Sequence, residues 1–145
     1  MRILGIDFGD RNIGLALSDP LELTAQPLGH YQLADVDANA AFFKELVCKH
    51  EVGEIVVGNP LRMDGSIGTR SQKTSEFAAW LEKAAGIPVK FWDERLTTQQ
   101  AMGIMEEQKI RYKAKKRVEH QISATLILQS YLDHRRFLKH AHQDS

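Results

Sequence analysis

The sequence predicts an α/β domain built on a mixed five-stranded sheet, and three observations lead there. Two apolar runs near the N-terminus are split by a short polar turn. Later apolar runs are short and β-branched, and stretches of helical apolar spacing alternate with them. Strands able to form an antiparallel meander, followed by strands alternating with helices, give an antiparallel and then parallel sheet flanked by helices.

Taken in order, residues 3–8 and 13–18 are the first two strands, joined by Gly9-Asp10-Arg11-Asn12 as a hairpin turn. A third strand, more weakly patterned, covers 25–33. Asp35 or Asp37 caps a helix that runs to His50, with Ala40, Phe43, Leu46 and Val47 at helical spacing. The run EIVVG at 54–58 reads as a fully buried strand, ended by Asn59-Pro60. Residues 61–72 lack apolar periodicity and are expected to be a functional loop or the entry to the next helix. That helix spans 74–85, with Phe77, Trp80, Leu81 and Ala84 on one side, and Gly86 and Pro88 close it. Residues 89–92 form the last strand and run into Asp93-Glu94-Arg95. Thr97 or Thr98 caps a helix to Gln108, and a long helix covers about 118–137. The expected organisation is one domain over 1–138 with an unordered tail at 139–145.

Composition narrows the class. A chain of 145 residues with 43% hydrophobic and 26% charged residues is ordinary for a globular domain. It can bury enough surface to fold without a disulfide or metal staple. The single cysteine, Cys48, excludes a disulfide framework and a cysteine-based zinc site, which fits a reducing cytoplasm. There is neither a signal-peptide pattern nor a run near the ~20 apolar residues of a membrane helix. The formal net charge is zero, yet 109–117 reads KIRYKAKKR, with six basic residues in nine. Such a run is either a solvated face or a surface for phosphates.

The chemistry begins with GIDFGDRNIGLALSD at 5–19, where Asp7 interrupts an apolar strand. A charge there is costly unless it is paired. Asp7 either caps the hairpin or holds a cation, and Asp10 is already available for the turn. Open sheets of this type place sites at the carboxyl ends of their strands, which puts Asp7 and Glu94 in one region. Of the neighbours Asp93 and Glu94 only one can point inward, and a pairing of Glu94 with Arg95 is the plain alternative. Converging carboxylates suit hard divalent cations, which in pairs activate water for phosphodiester hydrolysis.

Four blocks then carry a family resemblance: GIDFGDRNIGLALSD, VVGNPLRMDGS, DERLTT and SATLILQSYLD, in this order and over nearly the whole chain. The chain resembles the YqgF family, described as Holliday junction resolvases and as pre-16S rRNA nucleases. The resemblance implies a ribonuclease H-like fold related to RuvC. It also implies metal-dependent endonuclease activity on structured nucleic acid, with Mg²⁺ or Mn²⁺ (two ions) as cofactor, and maturation of the rRNA 5′ end. The family's first acid matches Asp7 and its second matches Glu94. Its third is an aspartate at the start of the last helix, where gapless alignment places His120. His120 can ligate a metal or move a proton but brings no negative charge, which puts Mg²⁺ binding at that position in doubt. Glu119 projects about 100° away around the helix.

Arg62, with Asn59, Pro60, Asp64 and Gly65, resembles a substrate-facing segment. Arg111, Lys113, Lys115, Lys116 and Arg117 are expected to meet phosphates, with Tyr112 available for stacking. RNA is preferred over branched DNA as partner, and the chain is expected to be a monomer or weak homodimer. Two rivals remain at this point. The opening hairpin resembles the phosphate-binding hairpin of sugar kinases and actin-type ATPases, although one copy in a chain this short is too little for a two-lobed site. His120 leaves open a binding protein without catalysis.

Overall fold

The computed structural model describes residues 1–60, 68–96, 107 and 116–143. β1 (Arg2–Asp7), β2 (Asn12–Ser18) and β3 (Ala25–Gln32) precede α1 (Val36–His50). β4 (Val52–Asn59), α2 (Thr69–Ala85), β5 (Val89–Asp93), a 3-10 turn (Glu94–Leu96) and the long α3 (Lys116–Gln143) follow. The expected helix at 97–108 lies outside the described residues, apart from Glu107.

The five strands form one sheet in the order β3-β2-β1-β4-β5. β2 pairs antiparallel with β1 and β3, while β4 pairs parallel with β1 and β5. The predicted meander followed by parallel strands is therefore the observed topology. Because β1, β4 and β5 run the same way, their ends at Asp7, Asn59 and Asp93 lie on one rim of the sheet.

Side-chain alternation divides the core into two layers. Leu4, Ile6, Ile55 and Val57 face Phe43 and Leu46 of α1 and Ala78 and Leu81 of α2. Ile3, Val56 and Trp92 face Ala124, Ile127, Leu128 and Leu132 of α3. β3 is an edge strand, half-exposed, and contains Pro27, which an edge tolerates because the proline nitrogen need not donate.

Helix ends follow local chemistry. The Asp35 side chain accepts from the Ala38 N–H at 2.8 Å and starts α1. Gly86 takes the left-handed conformation (φ 73°) that ends α2. α2 begins at Thr69 rather than at 74 as expected. Its first two turns bury Ser71 and Thr74, hydroxyl side chains that an apolar pattern does not register. α3 continues to Gln143, where a tail was expected from 139, because 138–143 contain neither glycine nor proline. Among the described residues no helix is long and apolar enough to cross a membrane.

Candidate active site

The puzzle of Asp7 resolves on the face of β1 that carries Ile3 and Gly5. Alternation turns Asp7 toward α3, and it is 7% exposed. Directly across the ladder stands Gly14. A Cβ there would lie 1.9 Å from the His120 carbonyl oxygen, so only glycine lets the first turns of α3 settle on the sheet at this point. His120 then meets Asp7: its Nδ1–H donates to Asp7 Oδ2 at 2.8 Å. The buried charge is partnered, and it does not cap the hairpin. Phe8, the next residue, stacks on Phe77 of α2 at 4.6 Å between ring centroids and fixes the strand end.

Glu94 arrives from the other side. β5 is two strands from β1, about 10 Å away. Glu94 leans back over Gly58 of β4, where a Cβ would lie 3.3 Å from its carboxyl carbon. Its pKa is raised to about 7, first by burial, then by the negative charge of Asp7, with Arg70 opposing. The neighbouring acid takes the outward role: Arg95 grips the Asp93 carboxylate through Nε and Nη2 and holds its pKa below the usual range. Arg95 thus pairs with Asp93, and it is Glu94 that turns inward.

A cavity of about 730 Å³ opens beside these groups. Asp7, Gly9 and His120 form one wall, Arg70 and Lys73 of α2 another, with Arg11 at the β1–β2 turn. Glu119 also lines it; at the end of a helix, neighbouring positions about 100° apart still share one opening. Among the described residues Glu94 is not part of that lining.

Asp7, Glu94 and His120, picked out in the sequence, are therefore brought to one rim. Arg62, Arg111, Lys113 and Lys115 lie outside the described residues, and Lys116 and Arg117 open α3. Reasoning from sequence missed Arg70 and Lys73. Their spacing of three would have placed them on one face had the helix been started at Thr69.

Two nearby carboxylates suit a divalent cation, and their mutual repulsion is what such an ion relieves. The third group fits less well, since His120 brings no negative charge and, with Nδ1 on Asp7, has Nε2 as its one nitrogen for a metal. Among the described residues no set of three His, Cys, Asp or Glu side chains is arranged to hold an ion. The donors present thus suit one cation better than two.

Residues 1–134 match the family model described as RuvX, Holliday junction resolvase. The chain belongs to the RuvX family. This is the assignment that the four sequence blocks pointed to under the name YqgF. A Halothermothrix orenii relative is 43% identical over 134 residues, covering 92% of this chain and 96% of that one, and is named "Putative pre-16S rRNA nuclease". A Moorella thermoacetica relative of the same name is 44% identical over 133 residues, covering 92% and 95%. Among solved structures, Thermus thermophilus RuvC in complex with a Holliday junction substrate superposes with a TM-score of 0.62 at 19% identity, covering 94% and 96%. The fowlpox virus Holliday junction resolvase gives 0.54 at 9% identity, covering 92% and 99%. The RuvX chain thus has the ribonuclease H-like fold that RuvC carries.

Proposed function

We propose that this chain is a metal-dependent endonuclease that hydrolyses phosphodiester bonds in structured nucleic acid, and that its substrate is the 5′ region of precursor 16S rRNA. The observation that carries the reading is the convergence of Asp7 and Glu94 at one sheet rim, close enough for the charge of Asp7 to raise the pKa of Glu94. A surface that only binds RNA has no use for two repelling carboxylates among its cations. Membership of the RuvX family and relatives named for pre-16S rRNA point the same way. The place of work would be the cytoplasm, where that RNA is made.

Asp7 and Glu94 would hold Mg²⁺ or Mn²⁺. When bound, such an ion activates water and neutralises the charge that develops on the phosphate. His120 orients the Asp7 carboxylate through its Nδ1–H. Ile127 and Leu128 of α3, buried against Gly58 and Gly5, keep bulk water from the back of the site. In the reaction, water oxygen forms a new bond to phosphorus as the bridging P–O bond breaks, and a proton passes to the leaving oxygen.

The test is cleavage of an end-labelled precursor rRNA fragment and of a four-way DNA junction, with Mg²⁺, Mn²⁺ or chelator. Wild type is expected to cut the RNA only with metal, and Asp7→Asn to abolish cutting. Cutting of the junction alone would move the substrate to branched DNA. Binding of RNA without cutting under every condition would replace the nuclease by a binding protein.

A further inference from the structure

We propose that Arg70 and Lys73 form a phosphate subsite on α2, which holds a backbone phosphate of the substrate strand next to the one that is cut. The inference rests on the nuclease reading above and extends it to residues that no motif singled out.

Both side chains belong to the wall of the cavity that faces Asp7 and His120. Three residues apart on a helix, they project side by side. Their platform is rigid for a reason independent of charge. Ser71 is fully buried and donates its hydroxyl to Oδ1 of Asn59, the last residue of β4. Thr74, also buried, bonds the Arg70 carbonyl at 2.9 Å. The first turn of α2 is thereby bolted to the same sheet rim that carries Asp7.

The electrostatics of this turn call for an anion. The start of a helix carries partial positive charge and favours acids. This one has no acid in its first turn and instead presents Arg70, with Lys73 following. Gly68 before it has no side chain with which to cap the first turn. Among the described residues Lys73 pairs with Asp10 at 3.8 Å, and both partners are largely exposed, so that pair contributes little. Cations crowded at the positive end of a helix raise the energy of the free protein, and a bound phosphate removes that cost. The planar fork of Arg70 suits two phosphate oxygens where an ammonium meets one.

The experiment is fluorescence anisotropy of a labelled precursor rRNA fragment in chelator, read against salt, followed by cleavage kinetics with metal. The proteins are wild type, Arg70→Ala, Lys73→Ala, the double variant, Arg70→Lys and, as a matched charge control on the exposed face of α1, Lys44→Ala. The double variant is expected to bind at least about tenfold more weakly at low salt. The slope of log affinity on log salt should fall by about 0.7 per lost contact on a single strand. KM should rise by more than kcat falls, and Arg70→Lys should recover part of the loss. Thermal unfolding separates a lost contact from a lost fold. An unchanged salt slope in a folded double variant, or a loss equal to that of Lys44→Ala, would overturn the subsite. The anisotropy arm needs no cleavage, so it stands apart from a failure of the nuclease reading, which would appear as wild type that never cuts.

Discussion

Glu94 shows how a single side chain sets a pH dependence. Its pKa is about 7 in the folded protein against 4.5 as the ordinary value, chiefly because it is buried. Between those values the folded state holds a proton that the unfolded state has released. Stability therefore falls as pH rises through this window, by up to about 3 kcal/mol if the whole shift is realised. Glu94→Gln removes the titration. In chelator, urea unfolding at pH 5 and pH 8 should show wild type losing stability and the variant holding level. The variant should be the more stable of the two at pH 8. Equal slopes with pH would show that Glu94 is not the group responsible. His120 offers the complementary change. His120→Asp replaces the imidazole at Asp7 with a second carboxylate, so it should lower stability in chelator and reduce the Mg²⁺ concentration needed for half-maximal cleavage. Magnesium should gain more than manganese, which accepts nitrogen more readily. A metal titration of cleavage reads this directly. The outcome against it is a higher magnesium requirement than wild type.

At the scale of elements, the site depends on how closely α3 lies on β2. Gly14 is the point of closest approach, opposite Asp7 and beneath the His120 backbone. Gly14→Ala must push the start of α3 outward. The expected cost is about 1–3 kcal/mol in chemical unfolding, together with loss of cleavage as the His120–Asp7 bond breaks. Wild-type activity in this variant would mean that the helix shifts without disturbing the pair. The far half of α3 is fastened separately. Glu54 of β4 accepts from the Tyr131 hydroxyl and pairs with Lys90 at 3.3 Å and Arg135 at 3.6 Å. That fastening holds the helix while its first turns carry the site.

Across the whole molecule, one sheet separates two apolar layers, and each layer positions a different wall of the cavity. The layer under α3 sets Asp7 and His120 in that lining and Glu94 beside it, and the layer under α1 and α2 sets Arg70 and Lys73. Damage to either should therefore reach the chemistry. Leu128→Ala, in a fully buried position, is expected to cost about 2–5 kcal/mol. Circular dichroism and tryptophan fluorescence should still report one coincident transition, because both layers share the sheet. Two separated transitions would show the layers to unfold independently.

Strand and helix identity was legible in residue order because each apolar run meets a single flat surface, and the alternation of β1 and the spacing of Phe43 and Leu46 record that directly. The site was legible as far as charge stood out against an apolar background: Asp7 within its strand, Glu94 beyond the end of another, and His120 where a resemblance led one to expect an acid. Tertiary structure alone decided which of Asp93 and Glu94 turns inward, that His120 spends Nδ1 on Asp7, and that Arg70 and Lys73 face them. The physical reason is the same in each case. Hydrophobic burial is a property of one residue and its neighbours along the chain, so it leaves a periodic trace in sequence. A polar contact is a property of two distant residues: Asp7 and His120 are 113 positions apart, and Ser71 bonds Asn59 from a turn whose buried side chains are hydroxyls. Such pairings exist only once the sheet has brought the two ends together.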